Sequence, residues 1–324
     1  MHYLATYQET LEKALSNSIP THEPANLYEP ISYMLSIGGK RMRPILTLLA
    51  CDVFEEDYNK AIEAAKAVEL FHNFSLIHDD IMDNAPLRRG KVTVHERWNL
   101  NTGILSGDAM LILAYQLFES YPPHIFKQLA ELFSKTALEV CEGQQYDIDF
   151  ERKDVVSIEA YLKMIEYKTA VLVAAAMAMG AIVAETSEEN KKDIYAFGRS
   201  LGIAFQLQDD YLDTFGNPET FGKQVGGDII ENKKTVLYLK TLELGTEEQK
   251  QELLHLSTIS PDNPIDKIAA VTELYRVSGA QEATQREIEK YTKQAQEILE
   301  TLDIKQDKKQ LLHQFSEDLM RRSV

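Results

Sequence analysis

Apolar residues recur at three- and four-residue spacing through most of the chain, the period of a helix that buries one face. This pattern predicts helices near residues 4–18, 26–37, 43–54, 58–83, 92–99, 103–120, 124–143, 157–185, 188–215, 229–244, 246–256, 264–278 and 280–320. Strand signals are nearly absent, since no Asn-Gly or Asp-Gly pair joins alternating segments. An all-α fold is therefore expected. The breaks carry turn chemistry: Gly38-Gly39, Asn84 to Gly90, Pro122-Pro123, Gly216 to Asp228 and Ser260 to Pro264. None of these is a low-complexity linker, and no solenoid-type repeat is present, so a single domain over residues 1–324 is expected.

The most apolar stretch, Thr169 to Ala184, is sixteen residues of mostly alanine and valine. It falls short of the roughly 20 residues that span a bilayer, so it reads as a core helix and the chain is not expected to be an integral membrane protein. Of the 324 residues, 44% are hydrophobic, which supplies ample material for a core. Acidic residues number 51 against 34 basic ones, and the resulting net charge of −17 repels nucleic-acid phosphates, so no nucleic-acid partner is expected. The first residues alternate apolar with acidic and polar ones, unlike a secretory or transit signal. Two cysteines, Cys51 and Cys141, make no disulfide framework or zinc spacing, and a reducing, cytoplasmic setting is expected.

One helix pattern ends oddly. "SLIHDDIMD" (Ser75 to Asp83) places Asp79, Asp80 and Asp83 at the end of an apolar run, and "FQLQDDYLD" (Phe205 to Asp213) repeats the arrangement with Asp209, Asp210 and Asp213. Positions i and i+4 share a helix face, so Asp79 with Asp83, and Asp209 with Asp213, each aim two carboxylates in one direction. Two unit charges about 6 Å apart repel by roughly 3 kcal/mol at an effective dielectric near 20. A cation is required to offset that repulsion. Hard oxygens on rigid helices suit magnesium, which keeps waters and completes its shell with phosphate oxygens, so a polyphosphate substrate is implied.

Basic residues gather where an anion could be cradled: "GGKRMRP" (Gly38 to Pro44), "LRRGK" (Leu87 to Lys91), "YKT" (Tyr167 to Thr169), "FGK" (Phe221 to Lys223) and "NKKT" (Asn232 to Thr235). Taken alone, "NKKT" reads as a surface lysine pair. The segment Gly216 to Gln224 does not have Walker-loop spacing, so the polyphosphate is not read as a nucleotide.

Taken in order with "GQQYD" and "GKQVGGD", these motifs resemble the trans-isoprenyl diphosphate synthases (polyprenyl synthetases) over nearly the whole chain. The resemblance is to short-chain members, the geranylgeranyl and farnesyl diphosphate synthases. It implies a single-domain helical bundle of the isoprenoid-synthase type around a deep central cavity, usually a homodimer. Its implied reaction condenses isopentenyl diphosphate with an allylic diphosphate by ionisation, condensation and elimination, with three magnesium ions, Mg2+, at each active site. By resemblance, Asp79, Asp83 and Asp209 are magnesium ligands, with Asp80, Asp210 and Asp213 supporting them directly or through water. Arg88, Lys168, Lys223 and Lys233 would grip the allylic diphosphate. Lys40, Arg43, His72 and Arg89 would hold the isopentenyl diphosphate without metal. Helix geometry agrees for His72, which lies seven residues before Asp79 and about 20° off its face. Thr169 and Gln206 would aim oxygen dipoles at the developing cation, while Gln144 and Asp147 lie near the metal site.

Product length needs a steric floor, because each added unit buries about five more carbons, which favours binding by roughly 4 kcal/mol. Moving from Asp79 toward the start of its helix descends about 1.5 Å per residue. An aromatic, Phe74, at the fifth position and a small residue, Ser75, at the fourth resemble C20-producing enzymes, with Phe71 a further candidate floor and a C15 farnesyl product the alternative. Angular geometry points Ser75 rather than Phe74 into the cavity, so the weight on Phe74 comes from the resemblance. Three remoter readings remain. A class I terpene cyclase should carry an Asn/Ser/Glu-type second motif instead of "DDYLD". A di-iron carboxylate bundle would use the Glu-x-x-His pairs Glu69/His72 and Glu252/His255 but leaves six aspartates unexplained. A regulatory subunit would not need intact aspartate clusters.

Overall fold

Helical periodicity is realised along the chain in a computed structural model that describes residues 2–16, 22–54, 57–153, 155–217 and 225–321. In chain order the helices are α1 (Ala5–Ser16), α2 (Ala25–Ser36), α3 (Met42–Val53), α4 (Ile62–Met82), α5 (Val94–Arg97), α6 (Leu100–Leu117), α7 (Pro123–Arg152) and α8 (Ile158–Ile165). They continue as α9 (Val171–Val183), α10 (Glu188–Phe215), α11 (Gly227–Ile230), α12 (Val236–Leu244), α13 (Glu247–Leu256), α14 (Ile265–Val277), α15 (Ala280–Thr301) and α16 (Gln306–Met320).

Several expected boundaries move, for local reasons. The segment expected as one helix over 157–185 is interrupted by a five-residue π-helical turn, Glu166–Ala170. The helix expected over 229–244 breaks where Asn232 takes a left-handed φ of 58°. The helix expected over 280–320 ends at Thr301, where buried Leu302 turns to a ψ of 130°. Between α4 and α5 a minimal hairpin pairs β1 (Leu87–Arg88) with β2 (Lys91–Val92). Its two turn residues, Arg89 and Gly90, have φ of 52° and 73°, the left-handed pair that a type I′ turn requires.

The chain divides into two compact units, Met1–Lys135 with Ala175–Lys192 and Thr136–Ala174 with Asp193–Val324. No linker marks the division, because its boundaries fall inside α7, α9 and α10. In the first unit α4 is the axis. It is apolar on more than one side, burying Ala64, Ala67, Val68, Phe71, Phe74 and Ile77, and it packs on α6 and α3. Fully buried Phe71 contributes about 2–3 kcal/mol by leaving water. The second unit is built around Tyr161, Leu207, Leu237, Leu253, Val271 and Tyr275. The segment Ile158–Val183 is long and apolar enough to cross a membrane, yet 83% of its most apolar window is buried inside the protein. It is a core segment.

Candidate active site

In the first unit the last turn of α4 carries the first acidic cluster. Asp83 caps the helix, its N–H donating to the Asp79 carbonyl at 2.9 Å. Asp80 is 2% exposed and accepts two bonds from Arg88 Nε, at 2.8 and 2.9 Å. Burial raises its carboxyl above the ordinary range, and the Arg88 guanidinium opposes that rise. Arg88 also reaches Asp79 Oδ2 at 3.4 Å. The hairpin thus holds a cation against the acid-rich helix end.

Two turns earlier on α4, the same unit collects guanidinium groups. His72 Nε2 lies 3.2 Å from Arg43 Nη1. Burial, followed by the charges of Arg43, Arg89, Arg88 and Arg41, pushes the His72 imidazole well below its ordinary pKa. Burial also lowers the Arg43 guanidinium, opposed by Glu69 and assisted by Arg89. Arg89 donates to the Gly38 carbonyl. Its guanidinium occupies the space a Cβ on Gly39 would need, and Gly39 itself has a φ of 141°, so only glycine fits there. Lys40 follows this turn with its side chain exposed. Arg41 is paired with Glu69, and Arg88 with Asp79 and Asp80, whereas Arg43 and Arg89 stand near a neutral imidazole, where a diphosphate would supply negative charge.

The second unit holds the other cluster. Lys168 and Thr169 lie on the π-helical turn, a distortion that recurs at functional sites. A Cβ on Gly143 of α7 would collide with the Tyr167–Lys168 backbone, so this glycine lets α7 come against the turn. One turn on from Gly143, Asp147 Oδ2 accepts from Lys168 Nζ at 2.5 Å. Thr169 Oγ1 donates to Gln206 Oε1 at 3.0 Å, and Gln206 Nε2 donates to Asp210 Oδ1 at 2.9 Å. The other Asp210 oxygen accepts from the buried Tyr161 hydroxyl. Burial raises Asp210, against the pull of these two donors. Asp213 accepts the Asp228 N–H at 3.0 Å. Asp228 is itself raised, by burial and then by Asp210 and Asp213. Lys233 bridges Glu231 at 2.7 Å and Asp228 at 3.9 Å, and these carboxylates hold its ammonium above the ordinary range despite burial. Lys234 does something else: it caps the end of α7, donating to the carbonyls of Phe150 at 2.8 Å and Lys153 at 2.5 Å. Lys223 lies outside the described residues.

Among the described residues, no three His, Cys, Asp or Glu side chains close around one point as a ready-made metal cage. The donors are hard carboxylate oxygens paired one helical turn apart, which fits magnesium, an ion that keeps waters and takes substrate oxygens. They do not fit di-iron. His72 faces a guanidinium, and Glu252 and His255 are exposed.

Phe71 and Phe74 stand 5.5 Å apart in an aromatic cluster, with Phe133 5.1 Å from Phe71 and His78 4.8 Å from Phe74. Ser75 turns its hydroxyl back to the His72 carbonyl at 2.8 Å. Three residues that the sequence reading leaves without a role enter these networks: Arg41, Tyr161 and Asp228. Arg41, inside "GGKRMRP", and Asp228, the acid that closes "GKQVGGD", carried a usable signal.

Comparison with known proteins shows the family. The polyprenyl synthetase family model matches residues 24–275. The geranylfarnesyl diphosphate synthase of Natronomonas pharaonis is 33% identical over 99% of this chain and 97% of its own. The geranylgeranyl diphosphate synthase of Methanosarcina mazei is 39% identical over 72% of this chain and 73% of its own. A crystal structure of a geranylgeranyl pyrophosphate synthase shares 50% identity and superimposes with a TM-score of 0.95 over 99% of each chain. The chain belongs to the polyprenyl synthetase family. It has that family's all-α fold, and it is an enzyme, a trans-prenyltransferase.

Proposed function

We propose that the chain makes geranylgeranyl diphosphate, C20, by adding isopentenyl diphosphate to allylic diphosphates and releasing pyrophosphate. The observation that carries this reading is the layout of α4. One rigid helix presents the Asp79/Asp83 pair at its end and His72 beside the arginine cluster seven residues earlier, about 10 Å along the axis. A single element therefore offers a metal-binding end and a metal-free anion site, as two diphosphates require.

Asp79, Asp83 and Asp209 would hold magnesium, with Asp80, Asp210 and Asp213 in support and Asp228 added to the second cluster. Three ions at each active site is the expected number. When bound, magnesium would neutralise the allylic diphosphate and favour its departure. Arg88, Lys168, Lys223 and Lys233 orient that diphosphate and stabilise the charge it takes up as its C–O bond breaks. The oxygen atoms of Thr169 and Gln206 face the cation left on the allylic carbon. Lys40, Arg43, His72 and Arg89 hold isopentenyl diphosphate so that its double bond attacks that carbon. Loss of a proton to the departing pyrophosphate then forms the new double bond. Phe74, with Phe71 behind it, sets the floor. The two compact units act in this reading as one catalytic domain. A homodimer is also proposed, supported by apolar side chains exposed along α6, with Leu105 and Ile112 each 59% exposed. Incubation with magnesium, labelled isopentenyl diphosphate and C5, C10 or C15 allylic partners, followed by product sizing, tests the reading. A C20 product is expected, and absence of any chain extension would refute it.

A further inference from the structure

Behind the arginine cluster lies a buried carboxylate with no part in the reaction just described. Glu69 is 2% exposed on α4, three residues before His72 and so on the same side of the helix. It accepts a hydrogen bond from the Arg41 guanidinium, whose other terminal nitrogen donates to the Leu35 carbonyl near the end of α2. Asn73, 1% exposed and one turn further along α4, donates to Glu69 Oε1 at 2.7 Å and to the Glu69 carbonyl at 2.8 Å.

Two features show what this network is for. Arg41 has a φ of 49° and a ψ of 31°, a left-handed conformation that residues with a Cβ avoid unless their surroundings enforce it. Its guanidinium fork, fastened to α4 and α2 at once, supplies that enforcement. Meanwhile Glu69 Oε2 and Asn73 Oδ1 are buried without partners among the described residues, a cost that a network kept for stability alone would avoid. We propose that Glu69 is a positioning residue for the isopentenyl diphosphate site, drawing Arg41 inward so that the Gly38–Arg43 turn presents Arg43 beside His72 and receives Arg89 on the Gly38 carbonyl. The inference rests on the function proposed above. Glu69 also acts on the charge balance, opposing the effect of burial on both Arg43 and Arg89.

A pure counter-ion and a positioning residue predict opposite signs. A carboxylate that merely competes with the ligand for guanidinium groups would, once neutralised, leave the site more attractive to a diphosphate. A carboxylate that shapes the turn would leave it less so. The test uses the full chain with Glu69→Gln, Arg41→Lys and the double variant. KM is measured for isopentenyl diphosphate and for farnesyl diphosphate, alongside kcat and the thermal midpoint. Each single variant is expected to raise the KM for isopentenyl diphosphate about tenfold or more, with kcat and the farnesyl diphosphate KM within about twofold of the parent. The double variant is expected to be no worse than the poorer single one, because both break one contact. A lower KM for isopentenyl diphosphate in Glu69→Gln, an additive double variant, or a lower thermal midpoint with both KM values unchanged would overturn the proposal. If Glu69→Gln fails to fold, Arg41→Lys carries the test, since lysine keeps the charge but cannot bridge Glu69 and Leu35 together; an unchanged KM there overturns it. Calorimetry with isopentenyl diphosphate alone separates the two ideas. A parent chain that binds this ligand yet extends none of the C5, C10 or C15 allylic diphosphates when these and magnesium are added refutes the proposed reaction, and weaker binding by Glu69→Gln would still support the positioning role.

Discussion

His72 Nε2 lies 3.2 Å from the Arg43 guanidinium. A guanidinium can only donate, so the imidazole presents a lone pair to it and stays uncharged. Burial and the surrounding arginines hold the His72 pKa well below its ordinary value in the folded state, whereas in the unfolded chain it titrates near 6.5. As pH falls below about 6.5 the unfolded chain gains a proton that the folded one refuses, so this group removes stability on the acid side and leaves it intact above. His72→Gln should therefore lose less thermal stability than the parent between about pH 7.5 and 5.5. Paired melting curves check this. Taking the difference cancels the opposite contribution of Asp210 and Asp228, whose raised pKa values favour the folded state as pH falls.

Phe74→Ala should open the aromatic floor. The variant is expected to shift products beyond C20 and to destabilise the fold by about 3–5 kcal/mol, since Phe74 is only 9% exposed against Phe71 and His78. Product chromatography reads the first effect and denaturant unfolding the second. An unchanged product length would move the floor elsewhere.

Gly143→Ala puts a methyl group into the backbone of the π-helical turn. The turn must shift, carrying Lys168 and Thr169 with it. Overpacking of this kind costs about 1–3 kcal/mol, and kcat should fall by roughly tenfold or more while the KM for isopentenyl diphosphate stays near that of the parent. Steady-state kinetics with each substrate varied in turn makes the measurement.

Chelation should separate the two diphosphate sites. With magnesium removed, condensation is expected to stop, whereas isopentenyl diphosphate should still bind the arginine cluster, as read by calorimetry. Loss of both would place a metal at the arginine site.

Much of this site was legible in the sequence because its chemistry is local. Asp79 and Asp83, Asp209 and Asp213, and His72 share faces through helical spacing alone. What escaped depends on contacts between distant segments or on backbone detail. A π-helical turn has the same apolar spacing as the helix around it, so 157–185 read as continuous. Two-residue strands are too short to show alternation, so the hairpin carrying Arg88 and Arg89 read as part of a loop. Tyr161 meets Asp210 across 49 positions, and Arg41 meets Glu69 across 28, separations that no spacing rule covers. Glu69 was visible only as half of a Glu-x-x-His pair, which pointed toward iron. Division into two units left no compositional trace, because every boundary lies within a helix.

The α4 rod also limits how this enzyme can diversify. Inserting or deleting one residue between His72 and Asp79 would rotate one end against the other by about 100° and change their spacing by about 1.5 Å. Such a lesion would misalign one anchor with respect to the other in a single step. A one-residue insertion or deletion in that stretch is expected to abolish condensation, whereas an exchange of side chains along α4 leaves the frame unaltered.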